Sequence, residues 1–350
     1  MDAEQGEYPW LADLALPGAD GDWYPAGELL LPGAPLAAVL AADAPFGVIS
    51  EDFAQRHARK TLKAAGVLST FGLLREEEVE LGESALDLDL DGAQEWAAAS
   101  RAMLRRAASA TTVDRLATDR DPSAGLPPVA IEVAAVRDLD LVAPGHWPAA
   151  LSLLTRSPLR AAITEPTRVR LPNGGHADVP SYTAWWLRRH VILGGQRPCD
   201  LRTADSDPLL CGLYDPIEAA GADHDIARLL DDPAIARALG VRSSLSELLA
   251  EPGGADELLA RLADPARSVA RPQLVSLWTA LATDGLGHRD ITPPDRVRAV
   301  HGERLVVADA ADVLVLDAPD LWPLVADRPL VIAPHRHAER LADRLDLPLA

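Results

Sequence analysis

Short apolar runs closed by turn dipeptides alternate along the chain with longer stretches of helical period. Leu14 to Leu31 reads as a hairpin. An apolar strand meets Asp20-Gly21, a pair suited to the positive φ of a type I′ turn, and Trp23 and Glu28-Leu29-Leu30-Leu31 follow before Pro32-Gly33. Ser50 to Ala65 carries the clearest helix signals: Ser50 can cap it, and Glu51 and Asp52 occupy the first turn. Arg59, Lys60 and Lys63 fall in the last turn, and Gly66 stops it, so charge and helix dipole agree. A second helix is predicted from Ala93 to Ala110, with Trp96, Met103 and Leu104 apolar. Val129, Ile131 and Val133 alternate as a half-buried strand does. Val169 to Val179 reads as a hairpin about Asn173-Gly174-Gly175, and Ser181 to His190 then turns helical, carrying Trp185 and Trp186.

From Asp223 to Thr283 the pattern is a run of short helices. Ser244 and Glu247 have capping-box spacing, and Leu274, Leu277, Trp278 and Leu281 form one stripe. The last sixty residues return to strands at 296–300, 304–307, 313–316 and 330–332, followed by an amphipathic helix from His335. Leu16 to Leu40 and Arg296 to Val325 share one grammar: strand, Gly-containing turn, strand, an apolar run, then Ala-Pro. A degenerate internal repeat accounts for both stretches, and so does similar turn chemistry alone.

Hairpins alternating with helix clusters, without regular βαβ spacing, predict an α+β fold in two or three domains. Two segments rich in turn formers suggest the breaks. The expected organisation is an α+β domain over 1–117, a linker at 118–128, and an α+β domain over 129–283 that is mainly helical from 223. A second linker at 284–295 and a small β-rich domain over 296–350 complete it.

Composition narrows the function classes. The 350 residues hold 33 basic and 53 acidic side chains, a net charge of −20, which disfavours non-specific nucleic-acid binding and docking on anionic membranes. With 48% apolar residues the chain can build real cores. No run approaches the ~20 apolar residues that span a bilayer, and the acidic start is the reverse of a signal peptide, so the cytoplasm is the expected compartment. Lys60 and Lys63 are the only lysines and Asn173 the only asparagine, which leaves few candidates for chemistry that needs either. Cys199 and Cys211 lack partners at zinc-ligand spacing and read as reduced thiols.

Motifs with catalytic spacing are incomplete. His288-Arg289-Asp290 copies a kinase catalytic-loop triplet, but Asp295 stands where that loop needs Asn. Asp87, Asp89, Asp91 and Gly92 match the first half of a calcium loop, yet its twelfth position is Ala98, and the interleaved Leu86, Leu88 and Leu90 suit a strand with one wet face. Asp284-Gly285-Leu286-Gly287 misplaces the first glycine of an Asp-x-Gly-x-Gly nucleotide box. His335 and His337, and Asp223-His224-Asp225, read as solvated helix starts. No catalytic, cofactor-binding or metal residue is nominated, and no cofactor is expected. Trp185 and Trp186 are adjacent and point to different sides of a helix, which makes them the candidate interaction surface; core for both is the competing reading. Trp23 and Trp147, beside turns, read as staples.

Several phrases together resemble a known family. They are Leu16-Pro17-Gly18-Ala19-Asp20-Gly21-Asp22-Trp23-Tyr24-Pro25-Ala26-Gly27-Glu28-Leu29-Leu30-Leu31-Pro32, Asp43-Ala44-Pro45-Phe46-Gly47-Val48-Ile49, Ala65-Gly66-Val67-Leu68-Ser69-Thr70-Phe71-Gly72, and Leu88-Asp89-Leu90-Asp91-Gly92 with Glu95-Trp96. Asp309 to Pro319 and the closing Leu341 to Ala350 extend the likeness over most of the chain. The chain thereby resembles the region that follows the ATPase domain in bacterial proteins with a sacsin N-terminal ATP-binding-like domain, also described as Hsp90-like or GHKL. The ATP-site boxes of that family are missing here, so the resemblance implies no GHKL ATPase domain in this chain and carries over no nucleotide-contacting residue. The apolar closing residues suit a fragment of a larger protein. The resemblance implies a non-catalytic docking or client-contact region with a protein partner, ATP binding being supplied by an absent or separate domain. The alternatives are an independent enzyme of hydrolase type, its site invisible in sequence, or a plain scaffold.

Overall fold

The computed structural model describes residues 9–82, 86, 88–112, 126–220, 224–283 and 291–350, and these form an α+β fold. The chain gathers into two compact units. The first takes residues up to Arg101, Arg120–Pro198 and Ala222–Leu239; the second takes Ala102–Asp119, Cys199–Gly221 and Gly240–Ala350.

In the first unit β1 (Ala15–Pro17) and β2 (Trp23–Pro25) pair antiparallel. Their connection is the loop 18–22, not a two-residue turn. The Gly18 amide donates to the Asp22 carbonyl at 2.7 Å, Gly21 alone takes a positive φ of 93°, and the Asp20 carboxylate accepts from the Tyr24 hydroxyl and the Asp22 amide. The short strand β3 (Leu29–Leu30) runs parallel to β4 (Gly47–Val48). The helix expected over Ser50–Ala65 is two helices, α1 (Glu51–Arg56) and α2 (Arg59–Ala64), broken at His57, whose backbone is extended. Only α2 buries a side chain, Leu62. With no apolar face to bury, α1 has nothing to hold it in line with α2.

An antiparallel sheet of β5 (Leu73–Glu80), β6 (Val129–Val136), β7 (Thr167–Arg170) and β8 (His176–Val179) follows, in that order. Edge strand β5 exposes Glu76, Glu77, Glu78 and Glu80, a charge row that discourages pairing with another chain. α3 (Ala93–Thr112), α4 (Trp147–Leu154), α5 (Leu159–Thr164), α6 (Tyr182–His190), α7 (His224–Leu230) and α8 (Pro233–Leu239) complete the helices that begin in this unit. Sequence composition suggests a domain boundary at 118–128. A unit boundary falls inside that segment, between Asp119 and Arg120, yet the flanking strands β5 and β6 belong to one unit and pair from Leu73 opposite Val136 to Glu80 opposite Val129.

The second unit pairs β9 (Leu201–Arg202) parallel with β10 (Asp215–Pro216) and adds α9 (Leu245–Ala250), α10 (Gly254–Ala263) and α11 (Arg271–Thr283). β11 (Arg296–His301), β12 (Arg304–Asp309), β13 (Leu314–Leu316) and β14 (Leu330–Ile332) form a mixed sheet in the order β12-β11-β14-β13. α12 (Trp322–Val325) precedes β14 and α13 (His335–Leu345) follows it. The predicted stripe Leu274, Leu277, Trp278 and Leu281 is buried in one core with Val297, Val331 and Leu341. The break at 284–295 therefore does not separate two cores, contrary to the three-domain expectation.

The two stretches that share a sequence grammar also share an order of elements, and the likeness runs further than their sequences suggest. In the first, an antiparallel hairpin (β1, β2) leads through a helical turn at Ala26–Glu28 to β3. A second turn at Pro35–Ala38 leads to β4, parallel to β3, then to α1 and α2, and Leu68 bridges back to Leu30. In the second, the hairpin β11–β12, turns at Ala310–Asp312 and Pro319–Leu321, parallel strands β13 and β14, and α13 appear in the same order, and Leu349 bridges back to Val315. Both helical stretches contain Arg-His-Ala, at 56–58 and at 336–338. At the matching position after each helix a residue takes a positive φ, Gly66 at 107° and Asp346 at 52°.

Candidate interaction surface

Helix α6 starts where the Ser181 hydroxyl accepts the Ala184 amide at 3.1 Å, and it ends on Arg188, Arg189 and His190, so cap and dipole agree. Its two tryptophans part company. Trp186 is 3% exposed, its indole N–H donates to Asp91 Oδ2 at 2.9 Å, and its ring lies 5.7 Å from Trp147 and 4.3 Å from His190. It is core, which corrects its place in the expected interaction surface. Trp185 is half-buried. Its ring meets Gly92, which takes a positive φ of 70°, and the Arg189 guanidinium lies 4.9 Å above it. The Trp185 indole nitrogen is buried without a hydrogen-bond partner.

The same cluster disposes of the carboxylates that suggest a calcium loop. Asp89 pairs with Arg137, and Asp91 accepts from Trp186 through its carboxylate and from the Tyr182 hydroxyl through its carbonyl at 2.5 Å. Asp87 lies outside the described residues. Leu88 to Leu90 form no strand; they lead into α3 as a docked loop. Tyr182 also meets Trp96 edge to face at 6.2 Å, and burial, reinforced by Asp91 and Asp140, pushes its phenol above the ordinary value. Trp147 is a buried staple, as its position beside a turn suggests.

Among the described residues a dense charge cluster lies in the second unit, where sequence reasoning points to nothing. Arg242, 7% exposed, donates to Glu251 at 2.8 Å and to Glu257 at 2.5 Å. Glu257 also accepts from the Tyr214 hydroxyl at 2.8 Å and from Arg261 at 3.4 Å, and Arg261 reaches Asp200 at 2.6 Å while stacking 4.1 Å over the Tyr214 ring. Burial alone would lower the pKa of Arg242, but the carboxylates of Glu251 and Glu257 outweigh it and hold the pKa above the ordinary guanidinium value. Burial, and next to it the charge of Asp200, pushes the Cys199 thiol up. Each carboxylate of the cluster is engaged by a guanidinium, so the arrangement braces backbone more readily than it moves protons. Only the pairing of 251 and 257 with a basic residue across α9 and α10 could have signalled it, and acids are too common here for that to stand out.

The His335 imidazole donates to the Asp317 carbonyl at 2.8 Å and lies 3.0 Å from its carboxylate, while His337 contacts Arg336 at 2.9 Å, so the two imidazoles go to different neighbours. Both cysteines are free. Among the described residues no group of three or more His, Cys, Asp or Glu side chains could hold a metal ion, and no helix is long and apolar enough to cross a membrane. His288, Arg289, Asp290 and Asp223 lie outside the described residues.

Exposed aromatic surface is concentrated in the N-terminal block of the first unit. Trp10 is 66% exposed and Trp23 68%, and Leu14 and Val48 are exposed beside them in the chain pairing. The helical turn Pro9–Asp13 packs Ala12 against Gly27, just after β2, and the Ala26 amide donates to the Leu14 carbonyl at 2.9 Å. The Ala19 amide donates to the Val48 carbonyl at 2.7 Å, which ties β4 to the same loop. Trp23 is thus no staple: β2 turns its indole outward while Leu16 is buried on the other side of the ladder. Alternation along three-residue strands is too short to reveal this in sequence. No protein-family profile, curated protein or solved structure matches the chain.

Proposed function

We propose that this chain is a non-catalytic docking region of a sacsin-like, Hsp90-like chaperone-related protein, with ATP binding supplied by another domain, and that the block carrying Trp10 and Trp23 receives the protein partner. The observation behind this reading is the pair of indoles, each about two-thirds exposed on the β1–β2 hairpin and the turn packed beside it. An exposed indole gives up apolar burial worth ~25 cal/mol per Å2, and tryptophan is the residue type most enriched at binding hot spots. The phrases that carry the family likeness include this hairpin, since the first of them runs through Trp23-Tyr24-Pro25.

The test uses an ATPase domain of GHKL type encoded in frame or next to this chain, titrated onto the purified protein. Trp23→Ala and Trp10→Ala should each weaken the complex by ~2 kcal/mol, about 30-fold. Trp185→Ala, which removes a half-buried ring, should change stability more than affinity. Absence of any such ATPase within several genes would remove the parentage, and micromolar binding of magnesium ATP by this chain alone would overturn the division of labour.

A further inference from the structure

A cavity of about 330 Å3 opens in the first unit between the turn at residues 31–35 and helix α2. Arg59, Lys60 and Lys63 line one wall and Ser69 adds a hydroxyl. Arg59 donates to the Pro32 carbonyl at 3.3 Å and so fastens the helix to the turn. Gly33, at φ 69°, faces open space where a side chain would stand. Among the described residues that line the cavity none is acidic, in a chain of net charge −20 whose two lysines are both in this wall.

The stretch with the same order of elements carries different charges at the corresponding positions. Aligning Arg56-His57-Ala58 with Arg336-His337-Ala338 places Glu339 at the position of Arg59, Arg340 at that of Lys60 and Asp343 at that of Lys63. After the apolar strand, Asp317 stands where the first copy has Pro32, and His335 pairs with it. Two of the three cations are thus replaced by acids in a setting with the same order of elements, and a carboxylate enters the turn.

We propose that this cavity binds a small phosphorylated molecule, its phosphate held by Arg59 and Lys63 beside Lys60 and its body resting on the apolar wall of the turn. Cations gathered on one small cavity suit a phosphate monoester, which carries about −1.5 to −2 charges at neutral pH. The arginine fork adds directed donors, while the lysines act as point charges. The volume sits at the lower end of small-ligand pockets, about 300–1,000 Å3, and such pockets combine apolar walls with a few polar groups. The soluble ligand is preferred over a lipid headgroup because so acidic a protein is repelled by an anionic bilayer. This assignment does not depend on the docking role.

Because the chain has only two lysines, lysine-selective isotope labelling yields one signal from Lys60 and one from Lys63. Titration with inorganic phosphate, pyrophosphate and glycerol phosphate should shift both, with sulfate weaker. Lys63→Asp and Arg59→Glu, which install the acids of the second copy, should each lower the affinity at least about tenfold, and Lys63→Gln should lower it less. Arg340→Glu in the second copy should leave it unchanged. The proposal is overturned if millimolar phosphate and pyrophosphate leave both signals in place, if Lys63→Asp binds as the parent does, or if only vesicles containing a phosphatidylinositol phosphate move them. Magnesium ATP bound here at micromolar affinity would uphold the cavity and overturn the docking reading, so the two are separable.

Discussion

Arg242 offers the sharpest energetic test of the second unit. Its main chain is locked to β9, the Thr203 amide donating to its carbonyl and its own amide donating to the Leu201 carbonyl, both at 2.9 Å. Its side chain holds Glu251 and Glu257, the first just beyond α9 and the second in α10. Truncation to alanine takes the guanidinium from Glu251 and leaves Glu257 to share Arg261 with Asp200. Breaking a buried pair from one side costs about 3–5 kcal/mol, because the surviving charge stays desolvated. Glu251 and Glu257 keep 32% and 30% of their side-chain surface exposed and can recover some hydration, which places the cost at the lower end, ~3 kcal/mol. That corresponds to a fall in amide-exchange protection of about 100-fold. Native-state hydrogen exchange read on peptides from α9 and α10 measures it directly. Adding Glu257→Gln to Arg242→Ala should restore part of the loss, since it removes the uncompensated charge. If protection drops less than about threefold, or if Glu257→Gln deepens the loss, the cluster does not brace this unit.

Further outcomes check other parts of the structure. Asp91→Ala should cost ~1–3 kcal/mol in urea unfolding by leaving the buried Trp186 N–H without its acceptor, and millimolar calcium should not raise the melting temperature of the parent protein. Gly254→Ala should cost at least ~3 kcal/mol, because a Cβ there would sit 1.7 Å from the Leu248 carbonyl oxygen. Gly174→Ala, at φ 80° in open space, should cost only ~1 kcal/mol. The Asp317 carbonyl first, and then the Asp317 charge, raise the pKa of His335 above the ordinary 6.5, so its contribution to stability is complete below that value and fades as pH rises through the folded one. A histidine titration followed by NMR should place the midpoint above 6.5, and Asp317→Asn should bring it down.

Elements announced by local chemistry are legible in the amino-acid sequence. Ser181 caps α6, Asn173-Gly174 turns β7 into β8, and the stripe on α11 is buried where its period puts it. What stays hidden depends on partners distant in sequence. Trp185 and Trp186 differ only because Asp91 and Trp147 wait on one side of α6, and Trp23 faces outward because a three-residue strand carries too few positions to show a face. Turn-forming composition marks 118–128 as a break, yet composition cannot report that the strands flanking it pair. The cations of α2 read in sequence as dipole compensation; their convergence on the Pro32-Gly33 turn is a tertiary fact.

The interleaving of the two units sets an order of events during synthesis. β5 cannot pair before β6 has been made, and the first unit is not complete until α8 ends at Leu239. From Val136 to Leu239 is 103 residues, which at ~5–20 residues per second is on the order of ten seconds of translation. Through that interval the emerging chain holds a finished four-glutamate edge strand and its N-terminal indoles while its own last helices are still missing. Under the docking role proposed above, Trp10 and Trp23 are therefore already synthesised before the first unit is complete.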